Sequence, residues 1–178
     1  MPGDHHPDPY TDRYGPEVTL DAVIDLDRAD EIASARRTLA PVQRALQAAG
    51  FYAYGVVDQQ QRWTIAVDDE AGRFDVHVDG PDLVLSLWQS SPGMFVETED
   101  DWRRRALERL TRMTLPNVVR GFLAPHQEAM WDEADQGIAV RLTFRIPIAR
   151  ADEVGEVVRD HIPELEEVLT FVEQQVAR

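Results

Sequence analysis

The residues best suited to do chemistry in this sequence are three polar side chains that alternate along one predicted strand. Asp75, His77 and Asp79 are separated by apolar residues, and a strand places alternate side chains on opposite faces. Carboxylates and an imidazole on one face are able to bind a metal ion or to act as acid and base. Such metal sites need further ligands from another element, and a solvent-exposed strand face contains the same residue types. We therefore predict a polar surface here, with no catalytic residue, metal or cofactor.

A second candidate is a basic stripe in an otherwise acidic chain. Arg105, Arg109 and Arg112 recur at helical spacing, so their side chains share one face of a predicted helix. Such a stripe is able to hold phosphate or a nucleic-acid backbone. A solvated face paired with carboxylates is more common, so we predict pairing with the acidic C-terminal helix and no direct binding of nucleic acid.

The third candidate is apolar surface around the same helix. Met94 and Phe95 lie in a Pro-Gly loop, where polar residues are usual, and exposed apolar patches mark protein contacts. The helix itself adds an apolar stripe beside the basic one. We predict a protein-binding site formed by Met94, Phe95, Trp102, Arg105, Arg109, Leu110, Arg112 and Met113.

Charge and composition limit the possible partners. The chain carries 18 basic and 33 acidic residues, a formal charge of −15, and its pI is about 4.6. A field of that sign repels nucleic acids and anionic membranes and attracts basic proteins. The sequence has no cysteine, which excludes disulfides and thiolate chemistry. With no apolar run near the roughly 20 residues of a membrane span and no secretory signal, we expect a cytoplasmic protein without membrane association.

Secondary-structure patterns predict an α+β fold, an antiparallel sheet packed by helices in the order α-β-β-β(-β)-α-β-β-α. Four runs rich in β-branched and aromatic residues lie within residues 51–88, separated by turn-forming clusters. In the third run Phe74, Val76 and Val78 face one way, which identifies the buried side of the sheet. A helix opening within residues 98–101, a hairpin of residues 127–131 and 137–146, and a helix from about residue 152 complete the order.

The N-terminal part is the least regular. Residues 1–16 are predicted to be a disordered tail, because they are polar and show no periodicity. Residues 17–178 then form a single domain, in which residues 17–37 are an extension whose structure the sequence leaves open. Alternation over residues 17–27 slightly favours a strand over a short helix.

Several residues are predicted to shape the helix ends. A helix covers residues 30–49, in which Pro41 marks either a kink or a restart capped by Thr38. Gly50 is expected to end that helix. Thr98 is expected to cap the middle helix, and Pro163 to bend or split the last one.

Two stretches carry a resemblance to a known family. The segment L-Q-A-A-G-F closes the first helix directly into a strand, and M-W-D-E-A-D-Q-G-I-A-V-R-L-T-F-R-I-P-I forms the hairpin before the last helix. In arrangement the chain, over about residues 38–176, resembles the YbjN family, whose fold is similar to that of type III secretion chaperones. The resemblance implies a fold that works by binding proteins, often as a homodimer paired near the middle helix, without an active site to transfer.

These observations favour a non-enzymatic protein-binding adaptor or chaperone-like module. We expect a protein partner with a basic surface, including nucleic-acid-binding proteins, and a homodimer. The sequence contains no glycine-rich phosphate loop, nucleophile elbow or HExxH zinc motif. Two alternatives remain: a small metal-dependent or small-molecule enzyme that uses the Asp75 face, and direct nucleic-acid binding through the arginine stripe.

Overall fold

The computed structural model describes residues 26–177, with side chains from Arg28 onward. The predicted tail of residues 1–16 and most of the predicted strand of residues 17–27 lie outside this part. The described elements are α1 (Leu26–Ala48), β1 (Ala53–Val57), β2 (Trp63–Asp69), β3 (Gly72–Asp79), β4 (Asp82–Ser91), α2 (Asp101–Val118), β5 (Gln127–Asp132), β6 (Gly137–Pro147), a short 3₁₀-helix (Ile148–Glu153) and α3 (Val154–Val176). The α+β fold is thereby confirmed.

The six strands form one antiparallel sheet in the order β1-β2-β3-β4-β6-β5. The connection through α2 places β5 at the outer edge of the sheet, and β6 lies between β5 and β4. In this register Leu85 lies opposite Phe144 and Leu87 opposite Leu142. The apolar residues of neighbouring strands therefore share one face, as the period of two requires.

Helices α1 and α3 cover that apolar face. Leu39, Val42 and Leu46 of α1 are fully buried against the sheet, as is Leu165 of α3. The two helices approach closely at Gly155, where an added Cβ would lie 2.6 Å from the Ala45 carbonyl oxygen. Only a residue without a side chain fits this crossing without a shift of the backbone.

The first helix is longer at its N-terminus than predicted and is not interrupted. It begins at Leu26 and runs through Pro41, so the strand predicted up to residue 27 is wrong for its last two residues. Thr38 does not cap a second helix, because its hydroxyl donates to the Ser34 carbonyl one turn earlier. The predicted termination at Gly50 is confirmed: its φ is +97°, and Phe51 N–H donates back to the Leu46 carbonyl.

The predicted start of α2 also needs correction. Asp100, rather than Thr98, is the N-cap of α2, and it makes no side-chain capping hydrogen bond. Helix α3 continues unsplit through Pro163 and follows a 3₁₀ segment. Among the helices of residues 26–177, none combines the length and the apolar character needed to cross a bilayer.

Candidate functional site

Helix α2 lies at the β5 end of the sheet and buries little of its own surface. It contacts β5 and, less extensively, α3. Only Thr111 and Leu115 are buried within the helix. Only a narrow side of α2 therefore packs against the sheet, and the opposite side faces solvent.

The solvent side of α2 carries the apolar residues predicted to bind protein. Trp102 is 72% exposed, Leu110 58% and Met113 66%. These residues, with exposed Ala106 between them, follow the helical spacing of three and four. We call Trp102, Ala106, Leu110 and Met113 the α2 stripe. The α2 stripe faces solvent, whereas a surface helix usually turns its apolar side towards the core.

The loop before α2 contributes less free surface than its sequence indicates. Met94 is partly buried and packs against the core. The Phe95 ring stacks on Trp131 of β5, with centroids 6.2 Å apart and planes at 14°. Val96 is 71% exposed and is the apolar loop side chain that the sequence prediction missed. The loop is held in place by backbone hydrogen bonds to the β5–β6 turn, from Gly93 and Met94 N–H.

The predicted pairing of the arginine stripe with the last helix is wrong. Arg112 instead forms an ion pair with Glu133 in the β5–β6 turn, at 2.9 Å. Its guanidinium also lies 5.9 Å from the centroid of the Trp131 ring, which adds a cation–π contact.

Arg105 and Arg109 remain exposed, and neither forms an ion pair with a residue in the described part of the chain. Arg104 pairs with Asp101 within the helix. With five arginines and two carboxylates, α2 carries a formal charge of +3 in a chain of −15. The α2 stripe is therefore flanked by two arginines, Arg105 and Arg109, that no carboxylate of the described residues neutralises.

Asp75 and His77 lie on the sheet face opposite the helices, within a concave surface of about 760 Å³ lined by strand and turn residues. Burial raises the pKa of Asp75, although nearby His77 and Arg73 and a hydrogen bond from Trp88 act to lower it. Burial lowers the pKa of His77, and the positive charge of Arg62 adds to this effect, while Asp75 opposes it. Both shifts favour the uncharged forms of the two side chains.

Asp79 does not join this pair. Its carboxylate forms an exposed ion pair with Arg145 of β6. No group of three metal-ligating side chains that could hold an ion occurs among residues with described side chains. Asp75 and His77 thus supply one carboxyl and one imidazole group, each with a shifted pKa. Among the described side chains no third ligand completes a metal site with them.

One polar cluster was not predicted. Glu164 of α3 lies between two histidines, with His126 Nε2 2.6 Å from its Oε1 and His161 Nδ1 2.7 Å from its Oε2. The Phe144 ring packs against both imidazoles, with centroid distances of 5.2 Å and 4.2 Å. Gln127 also donates to Glu164. Because His126 and Glu164 are 38 residues apart, no spacing motif marks the cluster, which ties α3 to the start of β5.

Comparison with known proteins adds no identification, because no family model and no curated protein matches this chain. The resemblance to the YbjN family therefore stays a prediction based on the order of elements.

Proposed function

We propose that the protein is a non-enzymatic binding module, an adaptor or chaperone-like protein acting in the cytoplasm, that works through contacts with other proteins. One observation carries the proposal: the α2 stripe presents Trp102, Leu110 and Met113 to solvent, each more than half exposed. Contiguous apolar surface rimmed by polar residues is a mark of protein interfaces. Tryptophan and arginine, both present here, are the residues that contribute most to binding energy.

We propose that a second copy of the chain binds the α2 stripe. Two α2 helices paired antiparallel about a twofold axis place Trp102 of each copy near Met113 of the other, with Ala106 and Leu110 between them. The two ends of the stripe are about 16 Å apart at 1.5 Å per residue. With the neighbouring loop, such contacts are compatible with an ordinary interface of about 1,600 Å² in total.

Charge opposes the antiparallel arrangement, so the apolar contacts must supply the attraction. Two chains of −15 repel each other at long range. Within each copy Asp101 is paired with Arg104 and Arg112 with Glu133, and a twofold contact places the side of α2 that carries Arg105 and Arg109 near the same side of the other copy. The apolar contacts of the α2 stripe must therefore outweigh a like-charge repulsion, which salt screens.

A basic partner would bind elsewhere, because the α2 stripe is itself basic. The overall charge of −15 speeds the encounter with basic proteins, including proteins that bind nucleic acids. In this proposal the dimer presents two acidic outer surfaces to such partners.

A salt series with the immobilised full-length chain tests partner binding. Proteins retained at low salt should be biased towards basic surfaces and should elute as ionic strength rises, since screening weakens contacts between exposed charges. Retention without charge bias, or retention that salt does not weaken, contradicts the electrostatic part of the proposal. If the chain retains nothing beyond what an unrelated protein of equal charge retains, it is not a binding module.

A small metal-dependent or small-molecule enzyme is the second candidate, and the Asp75–His77 pair in its concave surface is the observation that favours it. Perturbed acid and base groups in a cavity are typical of active sites. Metal analysis of the purified chain separates the two candidates: stoichiometric zinc, iron or manganese would support the enzyme, and its absence together with measured partner binding would support the module.

A further inference from the structure

Phe122, which follows α2, was not among the predicted binding residues, yet its side chain is 67% exposed. Its ring contacts Phe171 of α3, with centroids 5.8 Å apart and planes at 48°. Phe171 in turn packs against the hydrophobic core. Because Phe171 is fixed by the core, Phe122 presents a large apolar surface to solvent at a defined position.

Phe171 also borders a shallow depression of about 430 Å³ along α3. Its lining residues follow one side of the helix at a spacing of three and four: Pro163, Glu166, Glu167, Thr170, Phe171 and Gln174. We call this side of α3, together with Phe122, the α3 groove. The twelve residues from Pro163 to Gln174 span about 16 Å of helix, which matches three turns of a bound helix or about five residues of an extended segment.

The charge of the α3 groove is opposite to that of the α2 stripe. Helix α3 contains six carboxylates and one arginine, a formal charge of −5 with its histidine neutral. Glu166 and Glu167 are exposed and form no ion pair with any described residue. Glu164, by contrast, is occupied by His126 and His161. The groove thus combines an apolar anchor point with two carboxylates that are available to a cation.

We propose that the α3 groove binds a basic segment of a partner protein that carries one apolar anchor residue. The proposal rests on the proposed function, since it names the surface and the chemistry by which the module holds its basic partner. The anchor side chain covers Phe122, and arginine or lysine side chains pair with Glu166 and Glu167. An acidic segment is repelled, and a neutral apolar one leaves both carboxylates partly desolvated without a partner.

Fluorescence anisotropy with a labelled peptide tests this surface. The probe is a peptide of about 15 residues, slightly longer than the groove, composed of arginine, alanine and leucine; a matched peptide has glutamate in place of arginine. The full-length chain should bind the first peptide in a salt-dependent way and not the second. Phe122→Ala should weaken binding about tenfold, as expected when an anchor contact is truncated.

Two charge variants separate local from overall electrostatics. Glu166→Gln/Glu167→Gln should weaken binding several-fold, whereas Asp30→Asn/Glu31→Gln, which removes the same charge from exposed positions on α1, should change it little. Equal losses in both double variants would assign the binding to overall charge and overturn the groove. Unchanged affinity in Phe122→Ala would also overturn it, provided that thermal unfolding shows the variant to be folded.

The second copy of the chain is the competing occupant, since its α2 is also basic and apolar. If Phe122→Ala alone converts a dimer to a monomer in light scattering, the groove holds α2 of another copy and the proposal is wrong. Failure of the groove and failure of the proposed function are distinguishable. If Phe122→Ala retains the same basic proteins as the parent chain in the salt series, the binding function stands and only this surface is wrong.

Discussion

Arg112 and Glu133 join α2 to the β5–β6 turn through two parallel contacts, 2.9 Å from Nη1 to Oε1 and 3.0 Å from Nη2 to Oε2. A bidentate pair fixes direction as well as distance. It holds Arg112 towards the turn, while the α2 stripe lies on another side of the helix and faces away from the sheet. The outward direction of the stripe thus depends on this pair and on the burial of Thr111 and Leu115.

Loss of the Arg112–Glu133 pair should cost little stability, because both side chains are about half exposed or more. We expect Arg112→Leu and Glu133→Gln each to lower the free energy of unfolding in urea, with a coupling of about 0.5 kcal/mol in the double variant. The coupling should shrink at high salt. A coupling of zero at low salt would show that the ion pair does not orient α2.

Replacement of Asp75 should stabilise the fold. Burial raises the pKa of this carboxyl, so the ionised form weakens folding above the folded-state pKa, and this penalty disappears below the unfolded value near 3.8. Asp75→Asn should therefore raise the melting temperature at pH 7 by about 2–4 °C and by much less at pH 3. Scanning calorimetry at both pH values measures this. A variant less stable than the parent chain at pH 7 would contradict it.

The Glu164 cluster predicts the opposite pH dependence. Burial acts to raise the pKa of Glu164, but hydrogen bonds from Gln127, His126 and His161 together hold it below its usual value. The ionised form therefore stabilises the fold, fully above the unfolded-state pKa of 4.5, and this contribution is lost as pH falls through the lower pKa of the folded state.

Glu164→Gln should lower the free energy of unfolding by about 1 kcal/mol at pH 7, and the difference from the parent should vanish in acid. Urea unfolding across this pH range measures it. Glu166→Gln, two residues along the same helix and exposed without an ion pair, is the matched control and should be neutral. A deficit for Glu164→Gln that is independent of pH would assign its effect to packing.

The order of elements and the buried face of the sheet were predictable because they follow from local periodicity. Phe74 and Val76 alternate with polar residues and are fully buried. Gly50 follows α1 with a positive φ, a conformation that glycine adopts readily. Strand β6 pairs with β4 as well as with β5; the pairing with β4 is set by the path of α2 and leaves no local signal in the sequence.

The direction of the α2 stripe was not predictable for a different reason. Apolar residues at a spacing of three and four give the same pattern whether they face a core or a partner. The burial of Thr111 and Leu115 in the structure shows which side of α2 meets the sheet. The Phe122–Phe171 and His126–Glu164 contacts join residues 49 and 38 positions apart, and no local propensity connects them.

The mass of the protein in solution tests whether the α2 stripe forms an interface with a second copy of the chain, as we propose. Light scattering at micromolar concentration and moderate salt should give twice the chain mass of 20.2 kDa. Trp102→Glu should give the single-chain mass, because two charges cannot be buried unpaired across a twofold contact. Tyr52→Glu, at an equally exposed aromatic residue outside α2, should leave the dimer intact. A mass near 20.2 kDa for the parent chain, or a dimer that survives Trp102→Glu, would contradict the claim.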